Sequence, residues 1–146
     1  MSSNWPKTGP NHAPAYIASG VPFVTQSTGT EVPNAASNTL RFSFPFVTKF
    51  FQVENIHGSR GLRVGFSDLG VKGTVTKNFI SVAAGQKTDV LDMRCKELYF
   101  GGEGGTSAFR IIAGLTMIPD SEFPVLTGSV PGGTGTIPTA SFGGVG

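Results

Sequence analysis

Cysteine occurs once in the 146 residues, at Cys95, and histidine twice, at His12 and His57. One cysteine excludes an internal disulfide, which fits a reducing compartment or a fold that needs no covalent staple. Two histidines are too few for a multi-histidine metal site within one chain. A cupin-type enzyme would need a close histidine pair plus a glutamate and a further histidine on separate strands. Charge is scarce as well: Asp, Glu, Lys and Arg make up 14% of the chain, against roughly 25% in an ordinary soluble domain. The formal charge is +2, and the basic residues are scattered from Lys7 to Arg110 with no stripe, so nucleic-acid binding is not expected. No segment approaches the ~20 consecutive apolar residues of a membrane helix. The opening MSSNWPKTGPNHAP lacks the basic-then-apolar order of a secretory leader. These absences predict a soluble protein made in a cytoplasm.

What is present is Phe, Gly and Pro. Twelve of the aromatics are Phe, while Trp5, Tyr16 and Tyr99 alone carry a polar handle, which favours dry interiors and subunit contacts over a sugar-binding platform. In NTLRFSFPFVTKFFQVEN, residues 38–55, Leu40, Phe42 and Phe44 alternate with Arg41 and Ser43. That is the period-two pattern of a strand with one buried face. Pro45 then interrupts the run before Phe46, Val47, Phe50, Phe51 and Val53. Leu62, Val64 and Phe66 alternate in GLRVGF, as do Phe109, Ile111, Ala113 and Leu115 in AFRIIAGLT. Strands are expected near 15–18, 22–26, 39–44, 47–54, 61–67, 78–83, 88–95, 97–100 and 107–117, parted by turn-forming runs such as HGSRG at 57–61, SDLG at 67–70 and GGEGG at 101–105. No window carries a clean helical stripe, so little or no long helix is expected. Short strands at this spacing argue for an all-β antiparallel sandwich or barrel.

The chain divides into three parts. Residues 1–14, with Pro6, Pro10 and Pro14, read as an extended N-terminal arm. Residues 15–122 hold the strands. Residues 123–146, FPVLTGSVPGGTGTIPTASFGGVG, carry no charge yet keep Phe123, Val125, Leu126, Val130, Ile137, Phe142 and Val145. Such a tail is expected to order when laid across a partner.

The chemical readings are weak. Glu54 and His57 stand three apart at a strand end and are expected in a solvated turn. No Gly-x-Ser-x-Gly elbow accompanies the abundant Ser and Thr, and Cys95 has no adjacent base in sequence. Asp89 and Asp92, three apart in a strand, would face opposite sides and could not share one sugar. GGEGG lacks the Gly-Lys-Ser/Thr of a phosphate loop and reads as a turn. No residue is assigned a catalytic, cofactor-binding or metal-binding role. Arg41, Lys49, Arg63 and Arg110 fall on strands, with Glu54 and Glu97 as possible partners.

Taken in order, YIASGVPFVTQS (16–27), TLRFSFPFVTKFFQVEN (39–55), LRVGF (62–66), KELYF (96–100) and SAFRIIAGLTMIP (107–119) resemble the single jelly-roll penton proteins at the fivefold vertices of large icosahedral nucleocytoplasmic DNA viruses. The likeness covers residues 15–119 and rests on packing patterns, above all FPFVTKFFQVEN and AGLTMIP. It implies an eight-stranded jelly roll with extended arms and a structural, non-enzymatic role in the virion. It further implies a homopentamer contacting the major capsid protein and other minor capsid proteins, with no cofactor. A minor capsid or cement protein, and a β-sandwich carbohydrate- or receptor-binding module, are the alternatives.

Overall fold

The structure, a computed structural model, describes residues 21–29, 31–74, 77–122, 128–129 and 136–137. The N-terminal arm, the strand expected at 15–18 and most of the C-terminal tail lie outside the described residues. Nearly all regular structure is strand: β1 (Val21–Gln26), β2 (Leu40–Ser43), β3 (Phe46–Asn55), β4 (Leu62–Gly65), β5 (Phe79–Val82), β6 (Glu97–Gly102) and β7 (Phe109–Pro119). One short helix, α1 (Asp68–Lys72), follows β4, and a 3-10 turn (Asp120–Glu122) follows β7. In the tail, β8 (Gly128–Ser129) pairs with β9 (Thr136–Ile137).

Two antiparallel sheets form a sandwich, one ordered β1-β7-β3 and the other β2-β6-β4-β5. Their facing sides build one core. Phe51, Val53, Ile111 and Leu115 come from the first sheet, and Leu62, Leu98 and Phe100 from the second, all with no exposed surface. Each such side chain contributes about 1.5–3 kcal/mol relative to exposure. Five phenylalanines meet at one end of this core. Phe42 sits edge-on to Phe23, Phe44, Phe100 and Phe109, while Phe100 and Phe109 stack at 4.5 Å with 6° between their planes. Aromatic pairs prefer these two arrangements because negative ring faces avoid one another. The alternation of Leu40, Phe42 and Phe44 therefore does what the sequence pattern predicts: Phe44 is 1% exposed while Arg41 and Ser43 face out.

Among the described residues seven strands, not eight, make up the two sheets. The strand expected at 88–95 is replaced by an irregular segment that shadows the outer edge of β3. It exchanges backbone bonds between Phe51 and Leu91 in both directions, at 3.0 and 2.8 Å, and bridges again at Glu54 and Lys87. The reason it is not a regular strand lies in its side chains. Val53 N donates to Thr88 Oγ1 instead of a backbone carbonyl, and Met93 N turns back onto Leu91 O. Side chains that bond nearby backbone displace ladder bonds in this way.

The outer face of the second sheet is closed by the chain itself. Ser67 caps α1 by accepting from Gly70 N at 3.0 Å, and Gly73 ends it in the left-handed region at φ 71°. Arg63 donates to the free carbonyls of Val71 and Lys72 and lies 4.4 Å over the Phe79 ring. Val71 is thereby pressed flat on the sheet. A Cβ at Gly65 would meet Val71 Cγ2 at 2.7 Å, and one at Gly101 would meet Ala35 Cβ at 2.6 Å. Glycine at these two strand positions lets the helix and the 34–37 turn sit against bare backbone.

Candidate functional site

The polar residues singled out by sequence do not converge. Among the described residues, no group of three or more His, Cys, Asp or Glu gathers in a metal-binding arrangement. His57 Nδ1 accepts from Ser59 N and Arg60 N at 3.1 and 3.0 Å, so the imidazole shapes its own turn. Glu54 instead pairs with Arg110 at 3.0 Å across β3 and β7. Asp92 pairs with Arg94 at 3.0 Å on the irregular segment, and Asp89 is exposed. GGEGG is a turn only in part: Gly101 and Gly102 end β6, paired with Arg63 and Leu62, and the β6–β7 connection begins at Glu103, with Gly104 at φ 75°. Its Glu103 accepts from Ser81 Oγ at 2.8 Å and from Arg63 at 3.4 Å. Arg41 pairs with Glu97 at 2.6 Å. His12, Trp5 and Tyr16 lie outside the described residues.

Cys95 and Tyr99 are both sealed. Burial pushes the Cys95 thiol up to about 11, although Thr48 Oγ1 lies 3.4 Å from its sulfur and works the other way. A thiol held protonated is a poor nucleophile. Native full-length protein at pH 8 should therefore leave Cys95 unmodified by a maleimide over minutes, with full labelling only in denaturant. Stoichiometric labelling of folded protein, read by mass, would contradict the burial. The Tyr99 hydroxyl is likewise pushed up to about 12, first by burial and then by the Glu97 carboxylate.

The surface offers a shallow groove and an open face. The groove, about 210 Å³, lies along β4 and β5 and is lined by Val64, Gly65, Phe66, Lys77, Asn78, Phe79 and Ile80. Its walls are mainly apolar, and no convergent acid, base or nucleophile lines it. The open face is the outside of the β1-β7-β3 sheet. Three cross-strand rungs run over it: Pro22–Gly114–Phe50, then Val24–Ile112–Gln52, then Gln26–Arg110–Glu54. Val24 is 68% and Ile112 43% exposed. Only the last rung is charged, with Arg110 donating to Gln26 and Glu54. Farther along, Met117 on β7 and Val90 on the irregular segment are also exposed. The two faces of the sandwich thus differ among the described residues: the chain's own helix covers one, and the other leaves Val24 and Ile112 exposed.

Sequence reasoning missed this face, yet a signal was there. Ile112 breaks the alternation of AFRIIAGLT by standing next to Ile111, and Val24 occupies an outward slot beside Phe23. An apolar residue in the wet phase of a strand is the mark of a surface that something else covers. No helix among the described residues is long and apolar enough to cross a membrane. Comparison with known protein families, curated proteins and solved structures finds nothing that matches this chain.

Proposed function

We propose that the chain is a structural capsid protein of the virion: a single jelly-roll penton subunit, five copies of which ring an icosahedral vertex and contact the major capsid protein and other minor capsid proteins. The observation that carries the reading is the pairing order. With segment 87–91 counted as a sixth strand, β1 pairs with β7, β2 with β6, β3 with that segment, and β4 with β5. We read this order as one long hairpin, nested pair within pair and rolled into two sheets, and it supports the connectivity of a jelly roll built from two Greek keys.

Two further features support it. The stretches of 15–119 that resemble penton sequences fall on β1, β2, β3, β4, β6 and β7. An exposed apolar face on a small sandwich suits assembly, because contiguous apolar surface on a soluble protein marks an interaction site. A ring uses two different patches head to tail, and repetition multiplies contacts that are individually weak. Native mass spectrometry of the full-length chain, at near-physiological salt and over a concentration series, is expected to show a five-subunit species. A monomer at every concentration, or a closed two- or three-subunit species, would overturn the reading.

A further inference from the structure

The ring reading leaves open which surfaces meet, and the bare face of the β1-β7-β3 sheet supplies one of them. Its two uncharged rungs present Pro22, Val24, Ile112 and the half-buried Phe50, with Gln52 turned to Thr88 O at the edge, and Gly114 puts no side chain between Pro22 and Phe50. The result is an apolar strip with a low middle, ended by the Gln26–Arg110–Glu54 rung. A strip of this form fits an extended, uncharged segment better than a second rounded sandwich. The chain contains one such segment. Residues 123–146 carry no charge and place Phe123, Val125, Leu126 and Val130 at short intervals. Because Gly128–Ser129 pairs with Thr136–Ile137, the run ahead of that pair, 123–127, is the part measured against the face, and it spans at most about 17 Å, close to the roughly 20 Å length of β1. Val24 is 68% and Ile112 43% exposed, and in a head-to-tail ring the tail of one copy reaches the face of the next.

Resting on the ring reading, we propose that the outer face of the β1-β7-β3 sheet is the seat of the 123–146 segment of a neighbouring copy. Uncharged segment and uncharged strip match in a way that keeps both out of water without burying an unpaired ion. The link is head to tail, face of one copy to tail of the next, as a closed ring requires. The charged Arg110–Glu54 rung marks where the apolar contact stops.

Two full-length variants, Ile112→Cys and Val125→Cys, are co-expressed and treated with a short bis-maleimide. Cys95 is buried and stays out of the reaction. Covalent pairs joining the two kinds of chain are expected, at least tenfold more than when Arg41→Cys, exposed on the other sheet, replaces Ile112→Cys. Val24→Glu, on a site 68% exposed, is expected to keep the melting temperature and raise the concentration needed for assembly at least tenfold. Five-subunit particles with no 112–125 links would overturn this inference and leave the ring standing. Links between two Ile112→Cys chains would overturn it in favour of face-to-face packing. A monomer under all conditions would overturn both the ring and the tail contact.

Discussion

Phe51→Ala should cost about 3–5 kcal/mol, the range for emptying a buried aromatic site. The side chain has no exposed surface, packs edge-on against Phe66 at 6.4 Å, and sits on β3 where the backbone bonds on one side to β7 and on the other to Leu91. Strands fixed on both flanks cannot close the cavity, so most of the loss should be felt. Against a typical total stability of about 5–15 kcal/mol, this is a large fraction. Urea unfolding followed by far-ultraviolet circular dichroism should show a sharply lower midpoint with an unchanged slope. Phe50→Ala, one residue away on the outer face, should cost about 1 kcal/mol or less, because its ring already touches water. Equal losses at 50 and 51 would contradict the assignment of inner and outer faces.

Asn55→Ala should be nearly as damaging, although asparagine is not a core residue by type. Asn55 is fully buried, and its side chain joins three stretches of chain: Nδ2 donates to Arg60 O at 2.8 Å and to Val82 O at 2.9 Å, while Oδ1 accepts from His57 N at 2.9 Å. Its backbone adds Gln86 and Gly85 as partners. Removing the amide leaves buried donors and acceptors unpaired, each costing about 1–3 kcal/mol, so a total loss of about 3 kcal/mol is expected. Asn55→Leu separates polarity from volume. It fills the site yet should rescue nothing, since the orphaned groups remain. Leucine restoring more than half the loss in the same urea titration would show that packing, not hydrogen bonding, holds this junction.

How far the fold could be read from sequence depends on what kind of residue carried each element. Strands marked by alternation, such as Leu40 to Phe44 and Phe109 to Leu115, were legible because burial of one face leaves a period of two. The turns were legible from glycine, as at Gly104. The irregular segment was not: Thr88 and Leu91 suggest a strand, and only the tertiary bond from Val53 to Thr88 Oγ1 shows why the ladder breaks. Nor was α1 legible, since five residues give no period and SDLG reads equally as a turn; its cap at Ser67 and the Arg63 contacts decide it. The ion pairs of Arg41 with Glu97 and Arg110 with Glu54 fell to partners named from sequence, whereas Arg63 found Glu103, in a turn that lies beside β4 only once β6 pairs with it.

The nested pairing also dictates an order of events along the growing chain. β4 and β5 are separated by a short stretch and meet at little entropic cost, while β1, the first strand described, must wait for Ile111 and Leu115 near the other end. Each outer pair closes a longer loop than the one inside it, and loop closure must precede the contacts that reward it. Val21 and Phe23, which pack on the core in the finished sandwich, therefore leave the ribosome long before their strand partners Leu115 and Ala113 exist. The earliest strand described is the last one sheltered.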